Sequence, residues 1–130
     1  MSVLNKASSI VVLDDELAVA ELTAVILREL GFENIKVFSS SHSFIAHARE
    51  TSFELCFMDI RLSDTDGLVL LGWLKLLHRD TRVVMFSGNT QRDLVTEASI
   101  LGAEGFLSKV DLDRNIRQLL NKWHVNYPLA

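Results

Sequence analysis

The sequence predicts an α/β domain: a doubly wound, five-stranded parallel sheet with five helices divided between its two faces. Three observations carry that expectation. Short apolar runs alternate with longer segments of helical period, five times along the 130 residues. Such alternation builds βαβ units, whose crossovers keep the strands parallel and put helices on both faces. The first, third and fourth runs are almost uninterruptedly apolar, as central strands buried on both sides are. For a chain of this size the expected strand order is 2-1-3-4-5. That order puts a ligand site at the carboxyl ends of strands 1 and 3, where the winding reverses.

Ser9 to Leu13 reads as the first, buried strand. Leu17 to Leu30 follows as a helix, with Val19, Leu22, Ile26 and Leu30 on one face and Gly31 as its stop. Ile35 to Phe38 is the second strand. Phe44 to Glu50 is a short helix, capped by a serine of the cluster Ser39, Ser40, Ser41 and Ser43. Leu55 to Asp59 is the third strand, and Asp66 and Gly67 open a helix that reaches Leu77. Arg82 to Phe86 is the fourth strand, Arg92 to Leu101 a helix closed by Gly102, and Gly105 to Ser108 a short fifth strand. Asp111 is expected to cap the last helix, with Leu112, Ile116, Leu119 and Trp123 along one stripe. Residues 1–123 then form one domain, and 124–130, with the only proline at Pro128, form a tail.

Apolar residues make up 48% of the chain and charged residues 23%, which supports a packed core and excludes intrinsic disorder for its body. A net charge of −4 lacks the clustered basic surface that DNA or anionic lipid requires, so direct nucleic-acid binding is not expected. Cys56, alone, excludes a disulfide framework and a Cys-rich zinc site and reads as a small buried hydrophobe. His42, His47, His78 and His124 show no paired ligand spacing. No apolar stretch approaches the roughly 20 residues of a membrane helix. Met1 to Ser9 lacks the signal-peptide pattern, so the expected location is the cytoplasm.

The informative residues stand just beyond the strands. Strand 1 ends in Asp14 and Asp15, followed by Glu16. Strand 3 ends in Asp59, strand 4 in Ser87 and Gly88, and strand 5 is followed by Lys109. Taken singly, Asp15 is a turn former, Ser87 a turn residue and Lys109 a solvated lysine. Together they bring three carboxylates, a hydroxyl and an ammonium to one rim. Clustered carboxylates repel and raise a pKa unless a cation sits among them. A hard divalent ion with oxygen ligands resolves this, and Mg²⁺ suits one or two carboxylates with waters and phosphate oxygens.

In order and spacing, the chain resembles the receiver domain of two-component response regulators, in the single-domain form of the chemotaxis regulators. The resemblance rests on Val11 to Glu16, Met58 to Leu62, Asp66 to Leu68, Val84 to Gly88 and Gly102 to Lys109, and spans Ile10 to Trp123. It implies a flavodoxin-like fold and a phosphoacceptor switch rather than an enzyme. By it, Asp59 is the phosphorylated aspartate. Asp14 and Asp15 hold Mg²⁺ with Asp59 and the backbone carbonyl of Arg61. Ser87 bonds a phosphoryl oxygen, Lys109 pairs with the phosphoryl group, and Phe106 changes rotamer as Ser87 moves. The implied partners are a histidine kinase or phosphotransfer protein and a downstream effector protein. Asp59 would phosphorylate and dephosphorylate slowly by itself.

Three positions depart from the pattern. Ser63 stands in the region where many receivers carry proline, Val110 follows Lys109 in place of proline, and Phe106 lacks the common tyrosine hydroxyl. The change at Val110 removes an expected cis peptide. Two alternatives keep the fold: an unphosphorylated interaction module, or the amino-terminal receiver of a larger regulator. A phosphatase resembling the haloacid-dehalogenase enzymes needs an Asp-x-Asp pair after strand 1, and Asp14, Asp15, Glu16 and Leu17 do not supply it.

The helix after Gly67 carries two apolar arcs. Leu70, Leu71, Leu74 and Leu77 should face the sheet. Val69, Gly72, Trp73 and Leu76 form a second arc at i, i+3, i+4 and i+7. That arc is either part of a wide core face, or covered by the neighbouring helix, or a partner or homodimer surface built on Val69, Trp73 and Leu76, with Trp73 exposed.

Overall fold

The computed structural model of the chain describes residues 3–88 and 92–125. Strands β1 (Ser9–Leu13), β2 (Asn34–Phe38), β3 (Leu55–Asp59), β4 (Arg82–Ser87) and β5 (Gly105–Ser108) form one parallel sheet in the order β2-β1-β3-β4-β5. Helices α1 (Leu17–Glu29), α2 (Ser41–Glu50), α3 (Gly67–Leu77), α4 (Arg92–Ile100) and α5 (Leu112–Lys122) make the connections and the final layer.

Alternate side chains of a strand serve opposite faces, and here they divide the core in two. Ile10, Val12, Phe57, Val84 and Phe86 pack with Ile26 and Leu27 of α1 and with Ile116 and Leu120 of α5. Val11, Leu13, Met58, Val83 and Met85 pack with Phe44 of α2, with Leu70, Leu71 and Leu74 of α3 and with Ala98 of α4. Cys56 is buried in the second core, where burial pushes its thiol pKa well up. Among the described residues, no helix is long and apolar enough to cross a membrane.

Several expectations shift at the level of single residues. In α1 the buried side chains are Ala20, Thr23, Ala24, Ile26 and Leu27, while Leu22 is exposed. The centre of the inner arc is turned roughly 80° from that of the face drawn through Val19, Leu22, Ile26 and Leu30, at about 100° per residue. Leu77, the last residue of α3, is also exposed. Trp73 is half-buried against the second core, so the expected substantial exposure of its indole does not hold. Val69 and Leu76 do face solvent, at 66% and 87% exposure.

Asp111 occupies the N-cap position of α5 without capping it. Its φ of 62° is left-handed and its side chain takes no cap hydrogen bond. Aspartate tolerates that conformation better than most residues. Asn115 closes the turn instead, its Nδ2 donating to the carbonyls of Ser108 and Val110 at 3.0 and 2.9 Å. The packed chain also runs past the expected boundary at residue 123. Val125 is buried in the first core and its N–H donates to the Leu120 carbonyl at 2.9 Å. The rest of the expected tail, 126–130 with Pro128, lies outside the described residues.

Candidate functional site

Parallel strands deliver their carboxyl ends to one rim, and the sequence has loaded that rim with charge. β1 and β3 are neighbours in register, Leu13 beside Met58, so Asp14 follows β1 next to Asp59 at the end of β3. Carboxylate oxygens of Asp14, Asp15 and Asp59 all lie within 4.8 Å of one another. Asp59 is in turn paired in register with Phe86, which puts Ser87 one residue further along the adjacent strand. β5 runs beside β4, and the Lys109 N–H donates to the Ser87 carbonyl at 2.8 Å, which fixes the start of the loop that carries the lysine.

Lys109 Nζ reaches back across the rim. It lies 2.8 Å from Asp14 Oδ2, 3.2 Å from Asp59 Oδ2 and 3.1 Å from Glu16 Oε1. Asp14 is fully buried, and its Oδ1 accepts the Glu16 N–H at 2.8 Å. Its Oδ2 faces the ammonium as a bare ion pair, without a hydrogen bond of normal geometry. Asp59 is 3% exposed, and its Oδ1 accepts the Arg61 N–H at 3.2 Å. Gly67 lets the β3–α3 loop close over this residue. A Cβ there would stand 2.5 Å from the Asp59 carbonyl oxygen and 2.7 Å from Ile60 Cα, closer than any side chain permits.

The electrostatics follow from that crowding. Burial raises the Asp59 pKa to about 6. The Arg61 N–H and Lys109 oppose the rise, and the Asp14 charge adds to it. Burial works against the charge on Lys109, but the Asp14, Asp59 and Glu16 carboxylates outweigh it and hold the ammonium above its ordinary pKa. One lysine thus faces four carboxylates, counting Asp15. The surplus of anionic oxygen around one ammonium, with Asp14 Oδ2 held by an ion pair alone, fits a hard divalent cation with oxygen ligands. Carboxylate donors without nitrogen or sulfur favour that class over a soft metal.

The structure therefore gathers Asp14, Asp15, Asp59 and Lys109, sets Ser87 beside them on the next strand, and brings the Arg61 N–H, not the carbonyl expected as a ligand, onto Asp59. Phe106 pairs in register with Met85, two residues short of the rim, and packs half-buried on the second core. Val69, Trp73 and Leu76 sit on α3, outside the acidic cluster. Three contacts were missed by sequence reasoning. Glu16 takes a share of Lys109, the Ser63 N–H donates to Asp15 Oδ2 at 2.8 Å, and Asp64 Oδ2 accepts the Ser41 N–H at 3.1 Å. The Ser41 hydroxyl chiefly, and this N–H after it, lower the Asp64 pKa. The signal for Glu16 was its place beside the acidic pair. Ser63 was visible only as a residue with an N–H where proline would have none.

Known proteins are similar to this chain in sequence and fold. Residues 10–121 match the response regulator receiver domain. The transcriptional regulatory protein ZraR of Salmonella typhimurium is 29% identical over 114 residues, 87% of this chain and 25% of that protein. The regulatory protein VanRc of Enterococcus gallinarum is 30% identical over 103 residues, 79% of this chain and 44% of that protein. The chain thus spans between about a quarter and a half of the curated relatives it matches. Among solved structures, a response regulator of Burkholderia pseudomallei, with a phosphorylated aspartic acid, a calcium ion and citrate, superposes with a TM-score of 0.72. It is 18% identical, with 92% of this chain and 87% of that one covered, and so shares the fold. With a match over most of its length, the chain belongs to the response regulator receiver domain family.

Proposed function

We propose that this chain is a phosphoacceptor switch: Asp59 takes a phosphoryl group from a histidine kinase or phosphotransfer protein, and the modified rim changes its protein contacts. The observation that carries this reading is the placement of the Asp59 carboxylate, buried, with Lys109 at 3.2 Å and two further carboxylates alongside. An Asp59 oxygen attacks phosphorus, the donor nitrogen leaves with the bonding pair, and a mixed anhydride results. Attack of one anion on another needs neutralisation, and the Lys109 ammonium is in position to give it. A cation, Mg²⁺ in this reading, held by Asp14, Asp15, Asp59 and the Arg61 carbonyl, would supply the remaining positive charge between the attacking carboxylate and the phosphoryl oxygens.

The Ser87 hydroxyl, at the end of the neighbouring strand, turns toward the new charge. Phe106, next but one to Ser108 on β5, repacks with it by shape alone. A local charge change then biases a two-state surface. The slow self-catalysed gain and loss of the phosphoryl group, a cytoplasmic location and a downstream effector belong to the same proposal. The phosphorylated aspartate and calcium ion of the Burkholderia protein support it. Because the chain covers only part of its relatives' length, a place as the receiver portion of a larger regulator is the second reading.

The test is incubation with a small acyl phosphate, with and without Mg²⁺, read by intact mass. Wild-type protein should gain one phosphoryl group only with Mg²⁺, and Asp59→Asn none. A wild type that stays unmodified would favour a constitutive interaction module instead.

A further inference from the structure

Asp15 is the least buried of the three clustered aspartates and lies beyond the last residue of β1. Nothing in the strand ladder fixes its side chain, and its neighbours Asp14 and Asp59 repel it toward solvent. The contact that opposes this comes from the β3–α3 loop, where the Ser63 N–H donates to Asp15 Oδ2 at 2.8 Å. A main-chain donor to a carboxylate makes a charge-assisted bond.

The loop that presents this donor is itself held at both ends and in the middle. Arg61 and Asp66 pair across it as an antiparallel bridge, and the Gly67 N–H donates to the Ile60 carbonyl at 3.1 Å. Asp66 Oδ1 caps α3 by accepting the Leu68 N–H at 2.9 Å. Asp64 Oδ2 ties the loop tip to the first turn of α2 through the Ser41 N–H at 3.1 Å. The donor is therefore placed before any ligand arrives, and its direction is set by backbone rather than by a rotamer.

We infer that Ser63 is a positioning residue for the cation: its backbone N–H holds the Asp15 carboxylate inside the acidic cluster, and its hydroxyl has no part in this. The inference rests on the reading of the cluster as a divalent-cation site. Outer partners of metal ligands commonly govern affinity without touching the metal. Proline at this position would remove the donor, whereas alanine would keep it.

Isothermal titration of the 130-residue wild type, Ser63→Ala and Ser63→Pro with Mg²⁺ tests it, alongside melting of each protein free of cation. Ser63→Ala should bind as wild type does. Ser63→Pro should bind about tenfold more weakly, the low end for such partners, with its cation-free melting unchanged. Equal affinity of Ser63→Pro and wild type, or an equal loss in Ser63→Ala, overturns the assignment while leaving the cation site standing. If Ser63→Pro does not fold, the Ser63 amide resonance decides. It should shift upfield in Asp15→Ala, and an unmoved resonance overturns the inference. A wild type that takes up no Mg²⁺ overturns the cation site and the role of Ser63 together.

Discussion

Two lysines meet carboxylates at opposite ends of the same sheet, with opposite results. At the amino ends of β4 and β5, Lys75 Nζ bonds Glu104 Oε2 at 2.8 Å and the Thr81 carbonyl at 2.8 Å. Glu104 Oε1 also accepts the Val83 N–H at 2.8 Å. One positive and one negative charge close a fully satisfied network that ties α3 to both strands. At the carboxyl ends, Lys109 is shared among Asp14, Glu16 and Asp59, Asp15 stands beside them, and Asp14 Oδ2 lacks a proper hydrogen bond. The first cluster is complete without a ligand. The second has negative charge left over, which a cation or a proton on Asp59 can absorb. A buried ion pair by itself therefore says little about function, and the imbalance of charge says more.

The widest expected separation comes from breaking the balanced pair. Glu104→Ala leaves the Lys75 ammonium and the Val83 N–H without their partner, and should lower unfolding free energy by about 2–3 kcal/mol. Urea denaturation reads this, and Mg²⁺ affinity should be unchanged. The reverse holds for cation addition. Mg²⁺ at ten times its dissociation constant should stabilise wild type by about 1.4 kcal/mol through mass action. Asp15→Asn and Asp59→Asn should lose most of that gain in thermal melts, and Glu104→Ala should keep it.

A smaller effect has the opposite sign from ordinary salt-bridge loss. The folded state raises the Asp59 pKa to about 6, above the roughly 4 of an unfolded aspartate. The folded protein therefore holds the proton more tightly, and cation-free stability falls as pH rises from about 4 to about 6, then levels. Asp59→Asn lacks this fall, so above pH 6 it should be more stable than wild type. An asparagine variant that melts below wild type at neutral pH without cation would show the two clusters to be alike. The smallest effect is on binding. Protonation of Asp59 competes with the cation, so Mg²⁺ affinity should drop about twofold between pH 7 and pH 6. Calorimetric titration at the two values measures it.

The architecture was legible because strand runs and helical periods are local signals. β1, β3 and β5 lie at their expected bounds, and the order 2-1-3-4-5 follows from how βαβ units wind. The acidic rim was legible for the same reason, since strand ends determine which residues meet. What escaped depended on tertiary detail. The inward arc of α1 takes in Ala20, Ala24 and Leu27 and leaves Leu22 outside, and Trp73 is partly covered by packing on the second core. Asp111 took a left-handed backbone that its residue type permits but does not announce. The Ser63 and Asp64 bonds join residues far apart in sequence through main-chain N–H groups, which every residue but proline possesses.

The most direct measurement locates the phosphoryl group chemically. Protein treated with acyl phosphate and Mg²⁺ is reduced with borohydride, which converts an aspartyl phosphate to homoserine, and then mapped by peptide mass. The account predicts homoserine at residue 59 alone, and none when Lys109→Ala is treated under the same conditions. Modification at Asp14 or Asp15, or unchanged labelling of Lys109→Ala, would contradict it.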